Sequence, residues 1–185
     1  MGYFEWIAAA IAFSGVYLST RGFIASWPLG IAGSMLYTWV FFENALPAEA
    51  ALQILYIIMG IYGWWQWMRM GSRPGERKIS RINMRTLLIS LGSWLIIAVL
   101  SGRAIELSGL GKLPYLDAAL AAGGLISTVL LAKKYLENWI FWIFIDLASA
   151  ALFFSRELFA SALLYLAFTA IAVKGYFEWK KVCEA

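Results

Sequence analysis

The segment Glu137-Asn138-Trp139-Ile140-Phe141-Trp142-Ile143-Phe144-Ile145-Asp146 carries the strongest chemical signal in this 185-residue chain. Asp146 follows Trp142 by four positions and Trp139 by seven, so on a helix all three share one face. An ionisable side chain within an apolar span is costly in a membrane and marks a functional candidate. Two indoles one turn apart make a flat-walled slot, with a carboxylate a turn deeper. The slot suits a planar ring, neutral or cationic, bearing hydroxyl groups. The indole faces attract the ring, and the carboxylate accepts from hydroxyls or balances charge. A structural alternative stays open, in which the tryptophans pack and Asp146 bonds a neighbouring helix.

Gln53 and Tyr56 form a second candidate pair, three residues apart and so on one helical face. An amide offers donors and an acceptor together, which fits a sugar or a ring carboxamide; an interhelical hydrogen bond explains the pair equally well. Tyr37 and Trp39 could line the same cavity or simply pack. Trp64, Trp65 and Trp67 precede Arg69 and read as an interfacial aromatic belt. Glu5 and Asp117 fall at helix ends, as wetted or capping carboxylates. Gly30, Gly33 and Ser34 put small residues at helical spacing, which permits close helix approach.

Catalytic patterns are missing. The chain has no His and one Cys, Cys183, so it offers no His base, no Cys/His metal cluster and no internal disulfide. No Gly-rich loop ends in Lys-Ser/Thr, which excludes a pump driven by this chain's own ATP hydrolysis. The expectation is a protein that is not an enzyme and uses no cofactor or metal.

These residues must be positioned by membrane helices. Hydrophobic residues make up 62% of the chain and charged ones 14%, against about half and a quarter in a soluble domain. Apolar runs predict seven helices over about 3–20, 27–42, 50–68, 86–100, 116–132, 138–154 and 159–178. The first run contains Glu5 and has no preceding basic region or small-residue cleavage site, so it reads as a span and not as a cleaved leader. Pro28 falls at a helix start and Pro47 in the turn before the third helix, while Gly71-Ser72-Arg73-Pro74-Gly75 reads as a linker. With seven spans, twelve of the fifteen Lys and Arg fall on one side; Arg103, Lys112 and Arg156 fall on the other. That bias predicts an outside N-terminus and a cytoplasmic C-terminus in the inner membrane. The basic stretch 69–85 is therefore a topology signal and not a nucleic-acid patch.

The chain also repeats itself. Shifted by 112 positions, residues 3–67 overlay 115–179 without a gap, with fourteen of 65 positions identical. Trp27 meets Trp139, Phe41-Phe42 meets Phe153-Phe154, Leu46 meets Leu158, Gly63 meets Gly175 and Trp67 meets Trp179. Glu5 meets Asp117, Arg21 meets Lys133, and Gln53 meets Tyr165. The chain divides into a first three-helix repeat (1–68), a basic loop, linker helix and outer loop (69–114), and a second repeat with its tail (115–185). One helix between the units makes the repeats parallel, a transporter architecture with the site between halves near the midplane. A duplicated bundle without cargo is the structural alternative.

With these marks in place, the chain resembles the PnuC family of bacterial vitamin transporters. The resemblance rests on Trp27-Pro28, on Gln53…Tyr56…Gly60…Tyr62-Gly63-Trp64, on Asp117, on Glu137-x-Trp139-x-x-Trp142-x-x-x-Asp146, and on Gly175…Trp179. Ser26 stands before Trp27, where many members of that family have Asn. The resemblance implies a SWEET-like fold of three plus one plus three helices. It also implies facilitated diffusion of nicotinamide riboside, uncoupled from ions or ATP, with the cargo trapped by cytoplasmic phosphorylation. Trp139 and Trp142 would then flank the ring and Gln53 and Asp146 bind the sugar or a polar edge, with Tyr56, Trp27 and Tyr37 completing the site. Alternative cargoes are thiamine, riboflavin or a deoxynucleoside; further alternatives are a SWEET-like sugar carrier and a non-transporting scaffold. The expected partners are the small-molecule substrate and the lipid bilayer, and a homo-oligomer is compatible with the fold.

Overall fold

The computed structural model describes residues 3–43, 47–70, 79–109 and 113–184. The Gly71–Gly75 linker, Leu46 of the repeat, and Arg73, Arg77, Lys78 and Lys112 lie outside the described residues, as does the Glu5 side chain. The described residues form seven helices: α1 (Tyr3–Thr20), α2 (Ser26–Glu43), α3 (Pro47–Arg69), α4 (Met84–Ser108), α5 (Pro114–Ala132), α6 (Asn138–Ser155) and α7 (Phe159–Cys183). By length and composition α4, α5 and α6 can each cross a membrane. The other helices are diluted by tyrosine, tryptophan, glycine and charge, and several of those residues face the interior. The outer surface is apolar: Met35, Ile61, Leu88, Leu95, Leu100, Phe144, Leu163 and Phe177 are all exposed. This is an all-helical membrane protein.

Helix ends follow local chemistry. Asn83 caps α4 by accepting from the Thr86 N–H at 2.8 Å, and Gly109 closes it in the left-handed region, φ 70°. Pro114 opens α5, where its missing N–H costs nothing. α4 runs eight residues past its expected end because Arg103 pairs with Glu106, which also accepts from the Tyr115 hydroxyl. Charges satisfied along the helix need not end it.

Neighbouring helices close a ring. α1 packs on α2, α2 on α3, α3 on α5, α5 on α6, α6 on α7, and α7 back on α1; the backbone of α4 meets α5 alone. Without a hydrophobic force between helices in lipid, close approach relies on small residues at the crossings. Gly33 provides one such crossing: it lies against Ala12, with a Cβ at that position 3.4 Å from its neighbours. Trp94 anchors α4 by donating from Nε1 to the Ala119 carbonyl at 2.7 Å. It also meets Phe141 of α6 across an open, wholly apolar groove of about 190 Å³ on the lipid side of the ring.

A short strap joins the basic end. Ser80 exchanges backbone hydrogen bonds with the α5–α6 turn, donating to the Lys134 carbonyl at 3.1 Å and accepting from Leu136 N–H at 3.0 Å. The Ile82 N–H donates to the Glu137 carboxylate at 2.8 Å, and Arg81 pairs with Glu184 at 3.0 Å. Residues 79–83 are thus tied to the α5–α7 side of the ring.

Candidate functional site

Among the described residues, Asp146 is the carboxylate buried inside the ring. Asp146 is 4% exposed, and among the described residues it takes no hydrogen bond and no ion pair. Its position on α6, two turns past Trp139, carries it about 10 Å into the molecule from the basic end. Tyr56 of α3 and Tyr165 of α7 lie within electrostatic reach of it and of each other, and Tyr37 of α2 within reach of Tyr165. Four helices therefore deliver polar groups to one place.

Gly124 of α5 makes that convergence possible. A Cβ there would collide with the Tyr56 hydroxyl and stand 3.6 Å from Cη2 of Trp142. So Trp142, Tyr56 and Asp146 from the expected set are brought together. Tyr37 joins at the edge, its ring stacked on Phe41 at 5.7 Å. Gln53 sits half-buried one turn before Tyr56. Tyr165 was legible only through its pairing with Gln53 in the repeat. Its ring is stacked on Phe153 at 5.2 Å and its hydroxyl reaches the same centre.

Trp139 and Trp142 are engaged by different neighbours. Trp139 is 1% exposed and packs edge-on to Trp179 at 5.6 Å, with Gly175 beneath it. Trp27 does the same in the other half: it is edge-on to Trp67 at 5.3 Å, with Gly63 beneath. Trp67 and Trp179 then meet each other at 6.3 Å, so the four indoles form one chain across the basic end. Trp64 and Trp65 are exposed, as a belt requires, but Trp67 is 0% exposed and belongs to the core. Its indole N–H explains the difference, since it donates to the Leu131 and Ala132 carbonyls at 3.3 and 3.1 Å. The Leu131 carbonyl also accepts from the Lys134 N–H at 2.9 Å, so the indole adds a second donor at the last turn of α5.

Polar atoms near this aromatic chain remain without hydrogen bonds. They are Ser26 Oγ and Trp27 Nε1 in one half, and Asn138 Oδ1 and Trp139 Nε1 at the corresponding positions of the other. Leaving such an atom buried and unpaired costs about 1–3 kcal/mol. At the opposite end Asp117 pairs with Arg156 at 3.2 Å. Asp117 is therefore bound in an ion pair, away from the centre. Among the described residues no cluster of three metal-ligating side chains occurs.

A lipid-facing helical ring with a buried carboxylate, the Tyr56 and Tyr165 phenols and an indole at its centre fits a membrane transporter of a small molecule. Residues 2–181 match the family model described as nicotinamide mononucleotide transporter, and the chain belongs to that family. It is 26% identical to the nicotinamide riboside transporter PnuC of Escherichia coli K12, over 95% of this chain and 85% of that one. It is 23% identical to the riboflavin/roseoflavin transporter RibM of Streptomyces davaonensis, over 88% and 77%. A crystal structure of the vitamin B3 transporter PnuC superposes with a TM-score of 0.77 at 21% identity, covering 98% of this chain and 82% of the other.

Proposed function

We propose that this protein carries nicotinamide riboside across the inner membrane by facilitated diffusion, and that the cargo binds at the Asp146 centre. One observation carries the reading. Asp146, Tyr56 and Tyr165 hold unused hydrogen-bonding capacity beside the Trp142 indole, inside a ring otherwise built to be dry. A nicotinamide ring stacks on an indole and, being cationic, is drawn to both the π face and the carboxylate. Ribose hydroxyls donate to the carboxylate and exchange hydrogen bonds with the phenols and the Gln53 amide. Trp139 and Trp27 form the floor of this site toward the basic end, and Tyr37 its edge.

The electrostatics favour the riboside over its phosphate. Among the described residues the groups acting on Asp146, Tyr56 and Tyr165 are one another and Tyr37, with no Lys or Arg among them. A phosphomonoester placed there would meet a carboxylate without a compensating cation.

The ring order supports two three-helix units, α1–α3 and α5–α7, with α4 as the linker. Under the 112-residue offset each neighbour pair of the ring maps onto another: α1·α2 on α5·α6, α2·α3 on α6·α7, and α3·α5 on α7·α1. Transport then proceeds by rocking of the two units about the central site, with the basic end cytoplasmic and the N-terminus outside. Phosphorylation of the cargo in the cytoplasm would make uptake directional.

The test is tryptophan-fluorescence quenching of the purified protein with nicotinamide riboside, nicotinamide mononucleotide, riboflavin, thiamine and glucose, repeated with Trp142→Ala. Saturable quenching by the riboside, weakened at least tenfold in the variant, is the expected result. A saturable response to another compound alone would replace the cargo. A Trp142→Ala protein that binds normally would remove the site.

A further inference from the structure

We infer that Trp67 and Trp179 are the two leaves of a single gate that closes the transport path at the basic end. The inference rests on the reading that cargo moves between the two halves. Positions 67 and 179 are equivalent under the 112-residue offset, and their indoles touch at 6.3 Å. Two equivalent groups in contact must straddle the pseudo-two-fold axis that relates the halves. In parallel repeats that axis runs along the membrane normal and through the space between the halves. A contact on it stands across the path.

The bonding around the pair is equivalent too. Trp67 Nε1 donates across the α3–α5 seam to the Leu131 carbonyl at 3.3 Å; Trp179 Nε1 donates across the α7–α1 seam to the Ser19 carbonyl at 3.3 Å. Position 131 is position 19 plus the same offset. Each leaf is hinged on its own half and latched to the other. Each leaf is also backed by a tryptophan seated on a glycine, Trp27 on Gly63 and Trp139 on Gly175. Those backing indoles carry unbonded N–H groups in the present conformation. When the leaves part, both N–H groups come to face the path, where water or cargo can accept from them. The leaves lie eleven residues beyond Tyr56 on α3 and fourteen beyond Tyr165 on α7, about 16–21 Å of rise along those helices. Both latches are made here, so this end is shut.

Accessibility of a thiol beyond the gate tests this without any cargo. Ser149 lies one turn past Asp146 on the same face of α6 and is buried. In a Cys183→Ser, Ser149→Cys background, a membrane-impermeant maleimide is added at the basic side of proteoliposomes. Trp67→Ala and Trp179→Ala are expected to raise the labelling rate tenfold or more. The Phe variants, which keep the ring and lose the latch, should raise it by a smaller factor, and exposed Trp65→Ala should not change it. Folded gate variants labelling within twofold of the background would overturn the proposal. If the Ala variants do not fold, Trp67→Cys with Trp179→Cys in Cys183→Ser is bridged by a short, reducible bifunctional methanethiosulfonate. Nicotinamide riboside uptake should then fall at least tenfold with binding retained, and return on reduction. Unchanged uptake after complete bridging would equally overturn the gate. A failure of the riboside to bind the wild-type protein would count against the cargo reading alone, because the labelling result does not depend on it.

Discussion

Gly175 lies against the indole of Trp139 so closely that a Cβ on it would stand 2.6 Å from Cε2. Trp139 is 1% exposed and packs edge-on against Trp179, so the ring has little room to yield. Overpacking of that kind costs about 1–3 kcal/mol. Gly175→Ala and its counterpart Gly63→Ala should each lower the melting temperature in detergent by several degrees. Gly30→Ala, where a Cβ meets nothing within 4 Å, should leave it unchanged or slightly higher. Equal melting of the Gly175 and Gly30 variants would contradict the packing described.

Asp146 should behave as a group kept for function at the expense of stability. It is buried without a hydrogen bond or ion pair among the described residues, so neutralising it removes a strain on the fold. Asp146→Asn is expected to melt at the same temperature or higher while uptake of nicotinamide riboside falls at least tenfold. A variant that loses stability and uptake together would assign the carboxylate a structural role.

Nicotinamide mononucleotide should bind about 100-fold more weakly than the riboside, the equivalent of about 3 kcal/mol of uncompensated repulsion. Asp146→Asn should narrow that gap, because it removes the repelling charge. Competition titrations with both compounds on both proteins measure the effect. Equal affinity for the two in the wild type would point to a cation reaching the site.

The strap offers a contrast between a buried and an exposed link. The Glu137 carboxylate accepts from the Ile82 N–H at 2.8 Å in a half-buried setting, so Glu137→Ala should cost about 1–3 kcal/mol of stability. Arg81 and Glu184 are more than half exposed, and Arg81→Ala should cost little. Neither change should alter riboside affinity by more than twofold. A thermal melt and a binding titration on each protein decide it.

The seven helices were legible because apolar runs of spanning length, punctuated by charge, leave few alternatives. Two C-terminal ends moved outward where a charge found a partner along the helix, as Arg103 did in Glu106 and Lys180 in Glu184, and α3 begins three residues early because Pro47, expected in the turn before it, is its first residue. Trp142, Asp146 and Tyr56 were legible from spacing, since helical periodicity fixes which residues share a face. Two features were not. Trp67 looked like its exposed neighbours Trp64 and Trp65, and its burial depends on which face of α3 meets α5, which no single-helix pattern contains. Gly124 carried no signal, because its role is to be absent as a side chain where residues from α3 and α6 converge.

The 112-residue correspondence treats the basic end and the centre of this molecule differently. At the basic end it is nearly complete: Trp27 with Trp139, Gly63 with Gly175, and Trp67 with Trp179. At the centre it has dissolved. Gly30 answers Trp142, Ser34 answers Asp146, Gln53 answers Tyr165, and Phe168 answers Tyr56. A nucleoside is chiral and has a different chemistry at each end, so a perfectly doubled pocket could recognise it only in two competing poses. Equivalent positions within one chain can carry different residues, so such a pocket can be handed. At the basic end the equivalent residues Trp67 and Trp179 meet each other, and a contact between equivalents favours likeness. The sequence thus keeps its internal likeness where equivalent residues touch each other and loses it where unlike polar groups converge.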